Sequence, residues 1–365
     1  MPQAETARMR TRTRIRELHP GWYASVMGTA ILAVSAYDNP GNLSATLGTA
    51  HVVGTVLAVL AYAIALVLTV AYAIRWIGHR DAALADLRHP VMGAMHATLP
   101  AGLLVLAVMT SVVGPELFPD AAVTAIIATF AIFGTVLALV FAVAFSYTLF
   151  VGEPPVTAVN GGWFIPPVAT IIVPVALMPL MPHVNGGNAS LLLVLSYAAY
   201  GIGFLLFVFM MALLHARLVV HPLPPAALLP TFWVALGPVG VGALAPLVMA
   251  RAGQSIFGEV GGAIDMVSRV FSTALWGFGL WWLALTVALM VRYLRSGPVP
   301  FHLGWWAFTF PLGAFTVATL TLARAWDVGA LEVTAVILFA ILAAFWAVVA
   351  SRTVGALRSG KVWQR

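Results

Sequence analysis

The chain has 365 residues, 62% of them hydrophobic and 8% charged, with a net charge of +6 and no cysteine. Soluble domains carry about 25% charged residues, so this composition excludes a soluble domain and describes an integral membrane protein surrounded by lipid bilayer. Without cysteine there are no disulfides or thiolate metal sites, and the scattered basic residues form no basic face with interleaved aromatics, so nucleic acid is excluded as a partner.

Residues 1–18 form an arginine-rich tail. No small-residue cleavage site follows a short apolar core, so this is not a signal peptide. Apolar runs long enough to span, roughly 20 residues each, follow at 21–37, 50–77, 91–113, 121–150, 163–182, 189–216, 228–250, 266–293, 303–324 and 328–351. A second basic tail covers 352–365. The expected fold is therefore all-α, with ten transmembrane helices over residues 19–351. Of the 18 Lys and Arg residues, 15 fall on the side of the N-terminus and 3 (Arg251, Arg269 and Arg324) on the other. The positive-inside rule then places both termini in the cytoplasm, for a chain in the cytoplasmic (inner) membrane.

The ten spans pair into five hairpins whose beginnings resemble one another. They read HPGWYASVMGTA from His19, HPVMGAMHATLP from His89, NGGWFIPPVATI from Asn160, LPTFWVALGPVG from Leu229 and HLGWWAFTFPLG from His302. From Pro20, Pro90, Gly161, Pro230 and Gly304 the spacings are 70, 71, 69 and 74. Self-similarity at a fixed period marks a repeat architecture, here over about 19–77, 89–150, 160–216, 229–293 and 302–351.

Odd-numbered spans carry small and polar residues and proline in mid-span: Gly28, Thr98, Pro100, Pro167, Thr170, Pro174, Gly237, Pro238, Thr309 and Pro311. Even-numbered spans are mostly Leu, Val, Ala and Phe. A lipid-facing helix should be uniformly apolar, and neighbouring helices or water must satisfy the backbone groups that proline frees. The odd helices are thus expected inside, around a central pore, and the even helices outside. Small residues also suit close helix contacts with no space between them; recurrence in five helices favours the pore. The prolines are expected to kink their helices. Gly28, His96, Thr98, Thr170, Gly237 and Thr309 are the candidate pore-lining residues.

No acidic residue sits deep in a span, which disfavours a carboxylate-lined cation path or an acid proton relay. No lysine or arginine sits there either, so an anion would meet hydroxyls and backbone N–H groups and bind weakly, as conduction requires. The expected cargo is anionic, by elimination. His96 could face the pore and titrate, or could sit neutral on a backbone carbonyl. Neither a metal site, a cofactor motif nor a nucleophile elbow is present, so no catalytic residue is expected. Phe308 and Phe310 lie about 200° apart on a helix, so only one can face the axis. Trp305 and Trp306 suit interfacial anchors.

HPGWYASVMGTA, LPTFWVALGPVGVGA (229–243) and GWWAFTFPLGAFTVATL (304–320) resemble the tellurite-resistance/dicarboxylate transporter family over about residues 19–351. That family includes bacterial tellurite-resistance channel homologues, fungal malate permeases and sulfite exporters, and the plant slow-type anion channels. The resemblance implies five hairpins around a pore of quasi-fivefold symmetry, usually in a homotrimer, plugged by a phenylalanine of the ninth helix. Phe310 matches the plug, where the residues alone read as ordinary interhelical packing, and the implied cargo is small inorganic or dicarboxylate anions. The activity implied is an anion channel or channel-like facilitator, or a proton-coupled C4-dicarboxylate or sulfite transporter on the same scaffold.

Overall fold

The computed structural model describes residues 14–42, 44–89 and 91–360. Most of the N-terminal tail, Pro90, and Lys361 to Arg365 lie outside the described residues. Within them every regular element is helical. Ten long helices follow in chain order: α1 Tyr23–Tyr37, α2 Ser44–Gly78, α3 Thr98–Val113, α4 Asp120–Gly152, α5 Ile165–Leu177, α6 Gly187–Val220, α7 Leu236–Ala252, α8 Gly261–Ser296, α9 Phe310–Trp326 and α10 Gly329–Ser359. Counted with their helical lead-ins, nine segments among the described residues are long and apolar enough to cross a membrane. The remaining helix, α1, has only 15 residues.

Each odd helix packs against the even helix that follows it, and the odd helices also pack in sequence, α1 on α3, α3 on α5, α5 on α7, α7 on α9 and α9 on α1. The odd helices therefore close a ring. Burial separates the two sets. In the segments holding α3, α5, α7 and α9, 72% to 94% of the most apolar stretch is buried within the chain; in α2, α4, α6, α8 and α10 the share is 17% to 33%.

Glycine permits the closest approaches inside the ring. A Cβ on Gly240 of α7 would stand 2.5 Å from the Phe315 backbone nitrogen of α9, a separation real side chains never show. Gly28 of α1 meets α9 in the same way, against the Thr309 side chain.

Every inner helix is preceded by a short helical lead-in: the 3-10 turns Pro20–Trp22, Gly161–Phe164 and Leu303–Phe308, and the short α-helices Met92–His96 and Leu229–Trp233. The prolines follow these breaks. Pro100, Pro167 and Pro238 are third in their helices and Pro311 second, where the missing N–H has no intrahelical acceptor to lose. This corrects the expectation that they kink long helices: they start them. Pro174 does lie inside α5, and Pro246, which the sequence reading did not single out, lies inside α7.

At the head of every lead-in but Leu229–Trp233 the recurring residue is a cap. His19 Nδ1 accepts from the Gly21 N–H at 2.9 Å, Asn160 Oδ1 from Gly162 at 2.8 Å and His302 Nδ1 from Gly304 at 3.0 Å. His89 Nδ1 accepts from the Val91 and Met92 N–H groups. A side-chain acceptor here satisfies amides that the first helical turn leaves orphaned.

On this near face a further helix, Arg80–Arg88, folds back on α2. The fully buried Arg75 of α2 pairs with Asp86 at 2.6 Å and donates to the Arg16 carbonyl, so a buried charge pair holds helix and tail together.

Candidate pore and gate

The five lead-ins converge on one cavity at the near end of the inner ring. Its walls come from all five inner helices or their lead-ins: His19, Gly21 and Met27; Met95 and Thr98; Gly162, Ile165 and Val168; Thr231 and Val234; and Trp306, Ala307 and Phe310. The space inside it open to water-sized molecules is about 60 Å³. The lining is predominantly apolar and contains no lysine, arginine, aspartate or glutamate.

Phe310 sits where α9 begins. It is buried and on the cavity wall, and a Cβ on Gly237 of α7 would stand 3.5 Å from both its Cε1 and Val168 Cγ2 of α5. The ring therefore points from α9 into the ring of helices, towards α7 and α5. Phe308 lies elsewhere. It is buried against Trp233 and Phe345, with ring centroids 5.6 Å and 5.3 Å away, and against Trp305. Thr309, with φ −94° and ψ −71°, separates the 3-10 lead-in from α9, so the two phenylalanines belong to different helical segments.

The other candidates divide. Thr98 is on the cavity wall, its hydroxyl donating to the Met95 carbonyl at 2.7 Å and lying within 3.0 Å of the Pro20 carbonyl. Gly237 stands against the Phe310 ring. Gly28 and Thr309 meet each other at the α1–α9 contact, and the Thr309 hydroxyl donates to the Trp306 carbonyl. Thr170 is fully buried and donates to the Pro166 carbonyl within its own segment. His96 has Nδ1 3.1 Å from the Met92 carbonyl and its ring between Trp76 of α2 and Phe141 of α4. This is the carbonyl-bonded arrangement of the two readings, set towards the outer helices.

Trp305 and Trp306 differ. Trp305 donates its indole N–H to the Pro300 carbonyl and has Arg352 over its ring at 6.0 Å. Trp306 is no interfacial anchor: it is 4% exposed and lines the cavity. Sequence reasoning missed this because both residues carry the same aromatic signal near a helix end.

At the far end, each inner helix finishes near a titratable side chain: Asp38, Glu116, His183, Arg251 and Arg324. Burial pushes the Asp38 carboxyl up, and Arg324 pulls it part of the way back; Arg324 also donates to the Asp38 carbonyl at 2.8 Å. Among the described residues no group of three or more His, Cys, Asp or Glu side chains could hold a metal ion.

A closed ring of buried inner helices, sheathed by long helices with exposed apolar faces and holding an apolar cavity free of fixed charge, describes a multi-pass membrane protein. The chain belongs to the voltage-dependent anion channel (SLAC1) family, whose profile matches residues 17–354. It is 30% identical over 351 residues to an uncharacterized transporter of Methanocaldococcus jannaschii, covering 96% of each chain. It is 26% identical over 349 residues to a sulfite efflux pump of the fungus Arthroderma otae (93% of this chain, 91% of the pump). A sulfite efflux pump of Trichophyton rubrum is 25% identical over 361 residues, with the same coverage. The chain is accordingly a multi-pass membrane protein of an anion-transporting family, and that family consists of transporters and channels.

Proposed function

We propose that small anions pass along the axis of the inner ring, through a channel or channel-like facilitator that the Phe310 ring plugs. The observation that carries this reading is the position of Phe310: on the cavity wall, pointing inward, at the break between a 3-10 lead-in and α9. A ring across a narrow apolar passage excludes water and ions, and hydrophobic constrictions of this kind gate pores by dewetting. The protein works in the cytoplasmic membrane with both termini inside, as a homotrimer.

A second reading, a proton-coupled carrier for sulfite or a C4-dicarboxylate, is favoured by the full-length similarity to fungal sulfite efflux pumps. Reversal potential in planar bilayers separates the two. A channel follows the anion gradient alone; a proton-coupled carrier shifts its reversal potential when only pH is changed. A reversal potential that moves with pH at fixed anion gradient contradicts the channel reading.

A further inference from the structure

Outside the inner ring, the near ends of α6 and α8 carry arginines and no acid. Arg217 lies in the last turn of α6, and Arg292 and Arg295 lie at the end of α8. Between residues 217 and 300 the acidic residues are Glu259 and Asp265, both at the far end of α8. Among the described residues none of the three arginines makes an ion pair. Arg292 and Arg295 are exposed, but Arg217 is only 4% exposed. Its hydrogen bond runs to the Pro222 carbonyl at 2.6 Å, and its Nε has no partner. Arg75, in the last turn of α2, shows the alternative: buried in the same way, it has Asp86 at 2.6 Å. The Tyr293 hydroxyl joins the two helix ends. It donates to the Pro224 carbonyl at 2.5 Å and stands within electrostatic reach of both Arg217 and Arg292.

We propose that Arg217 and Arg292 hold the phosphate of an anionic phospholipid from the near leaflet. A buried charge is costly unless an opposite charge accompanies it, and this part of the chain supplies none. The carbonyl end of α6 offers Arg217 about half a negative charge, which does not balance a whole guanidinium. The Tyr293 hydroxyl is a donor to Pro224 and no counter-ion. Guanidinium forks match phosphate oxygens in geometry as well as charge, and basic sites between transmembrane helices at the membrane surface hold anionic headgroups. The flanking surface selects a lipid over a free phosphate. One to two turns deeper in the span, Phe209 and Leu213 of α6 and Val287 of α8 are exposed, an apolar face for acyl chains that a free anion would leave unused. The site lies outside the inner ring, so it stands whether or not anions follow the axis.

The test adds phosphatidylglycerol, phosphatidylcholine or inorganic phosphate to the purified full chain in neutral detergent. Thermal melting reads stabilisation, and native mass spectrometry reads the lipid retained. Phosphatidylglycerol should raise the melting temperature saturably and remain bound; the other two should do neither. Arg292→Gln, at an exposed position, should weaken phosphatidylglycerol binding about fivefold, the worth of one basic residue near an anionic surface. Arg217→Gln should weaken it by about tenfold or more, as expected for a hydrogen bond to a charged partner. Arg358→Gln removes the same charge from the exposed near end of α10 and should leave the affinity unchanged. Should Arg217→Gln fail to fold, the comparison of Arg292→Gln with Arg358→Gln decides. Equal stabilisation by phosphatidylcholine would mean that headgroup charge is not read, and equal stabilisation by inorganic phosphate would make the ligand a free anion. Either result overturns the lipid site. So does full affinity in a folded Arg217→Gln protein, or an equal loss in Arg292→Gln and Arg358→Gln.

Discussion

In the outer helices the large apolar side chains point away from the protein: Leu66 and Val67 of α2 and Phe133 and Val143 of α4 are all more than 60% exposed. In the inner helices the polar side chains are the hidden ones. Thr170, Thr316 and Thr319 are buried, and each donates to the carbonyl four residues back. A soluble protein sorts the other way. The reversal follows from the solvent, since lipid accepts apolar surface freely but cannot satisfy a polar group. Polar and small residues are therefore buried among the inner helices, where Gly240 lets α7 and α9 meet backbone to backbone.

That comparison can be broken at paired positions, and two glycines provide the largest contrast. Gly240→Ala forces a methyl group against the α9 backbone, and we expect the variant to lose its folded state or melt far below the parent. Gly277 of α8 has no atom within 4 Å of a would-be Cβ, so Gly277→Ala should be harmless or stabilise by about 0.5–1 kcal/mol through helix propensity. Thermal melts in detergent read both. If Gly277→Ala proves as damaging as Gly240→Ala, the outer face is not a free lipid surface.

Next in size is the buried pair on the near face. Asp86→Ala leaves the Arg75 charge buried and uncompensated, a loss of about 3–5 kcal/mol, visible as a lowered melting temperature. The double variant Arg75→Leu, Asp86→Ala should recover much of that loss. If the double variant is no better than Asp86→Ala alone, the damage does not come from a stranded charge.

The distinction between the two sets of helices was legible in the sequence because it is compositional: glycine, threonine and proline in odd spans, aliphatic runs in even ones. The structure sets Phe308 in an aromatic cluster and Phe310 on the cavity wall, but a break at Thr309 lies between them, so their offset along one continuous helix is not the reason. The breaks ahead of the inner helices were not legible. A proline inside a long apolar run looks like a kink, and nothing in hydropathy shows that a 3-10 turn such as Leu303–Phe308 ends just before it. Nor does a glycine or threonine in an inner helix announce which way it faces. Gly28 and Thr309 face each other because α1 and α9 touch there, a contact between residues 281 apart. His96 was readable as polar and inside a span, but only the fold sets its ring between Trp76 and Phe141.

The smallest expected effect lies at the far end of α1. The Asp38 carboxyl is raised because burial disfavours its charge, so the folded state holds the proton more tightly than the unfolded chain does. Its contribution to stability is then present below the ordinary aspartate value near 3.9 and is lost as pH rises through the raised folded value. Asp38→Asn should melt slightly above the parent near neutral pH and level with it in acid. A gain that persists unchanged in acid would mean that the carboxylate charge is not its origin.

The most direct test of the gate is to record Phe310→Ala and Phe308→Ala side by side in planar bilayers and to melt both in detergent. The account predicts that Phe310→Ala conducts anions far more strongly than the parent while staying folded, having lost less than the roughly 3–5 kcal/mol of a typical buried Phe→Ala change. Phe308→Ala should be the less stable of the two and gain little current. A silent, unstable Phe310→Ala beside a conducting Phe308→Ala would contradict the assignment, and no gain in either would remove a phenylalanine gate from α9 altogether.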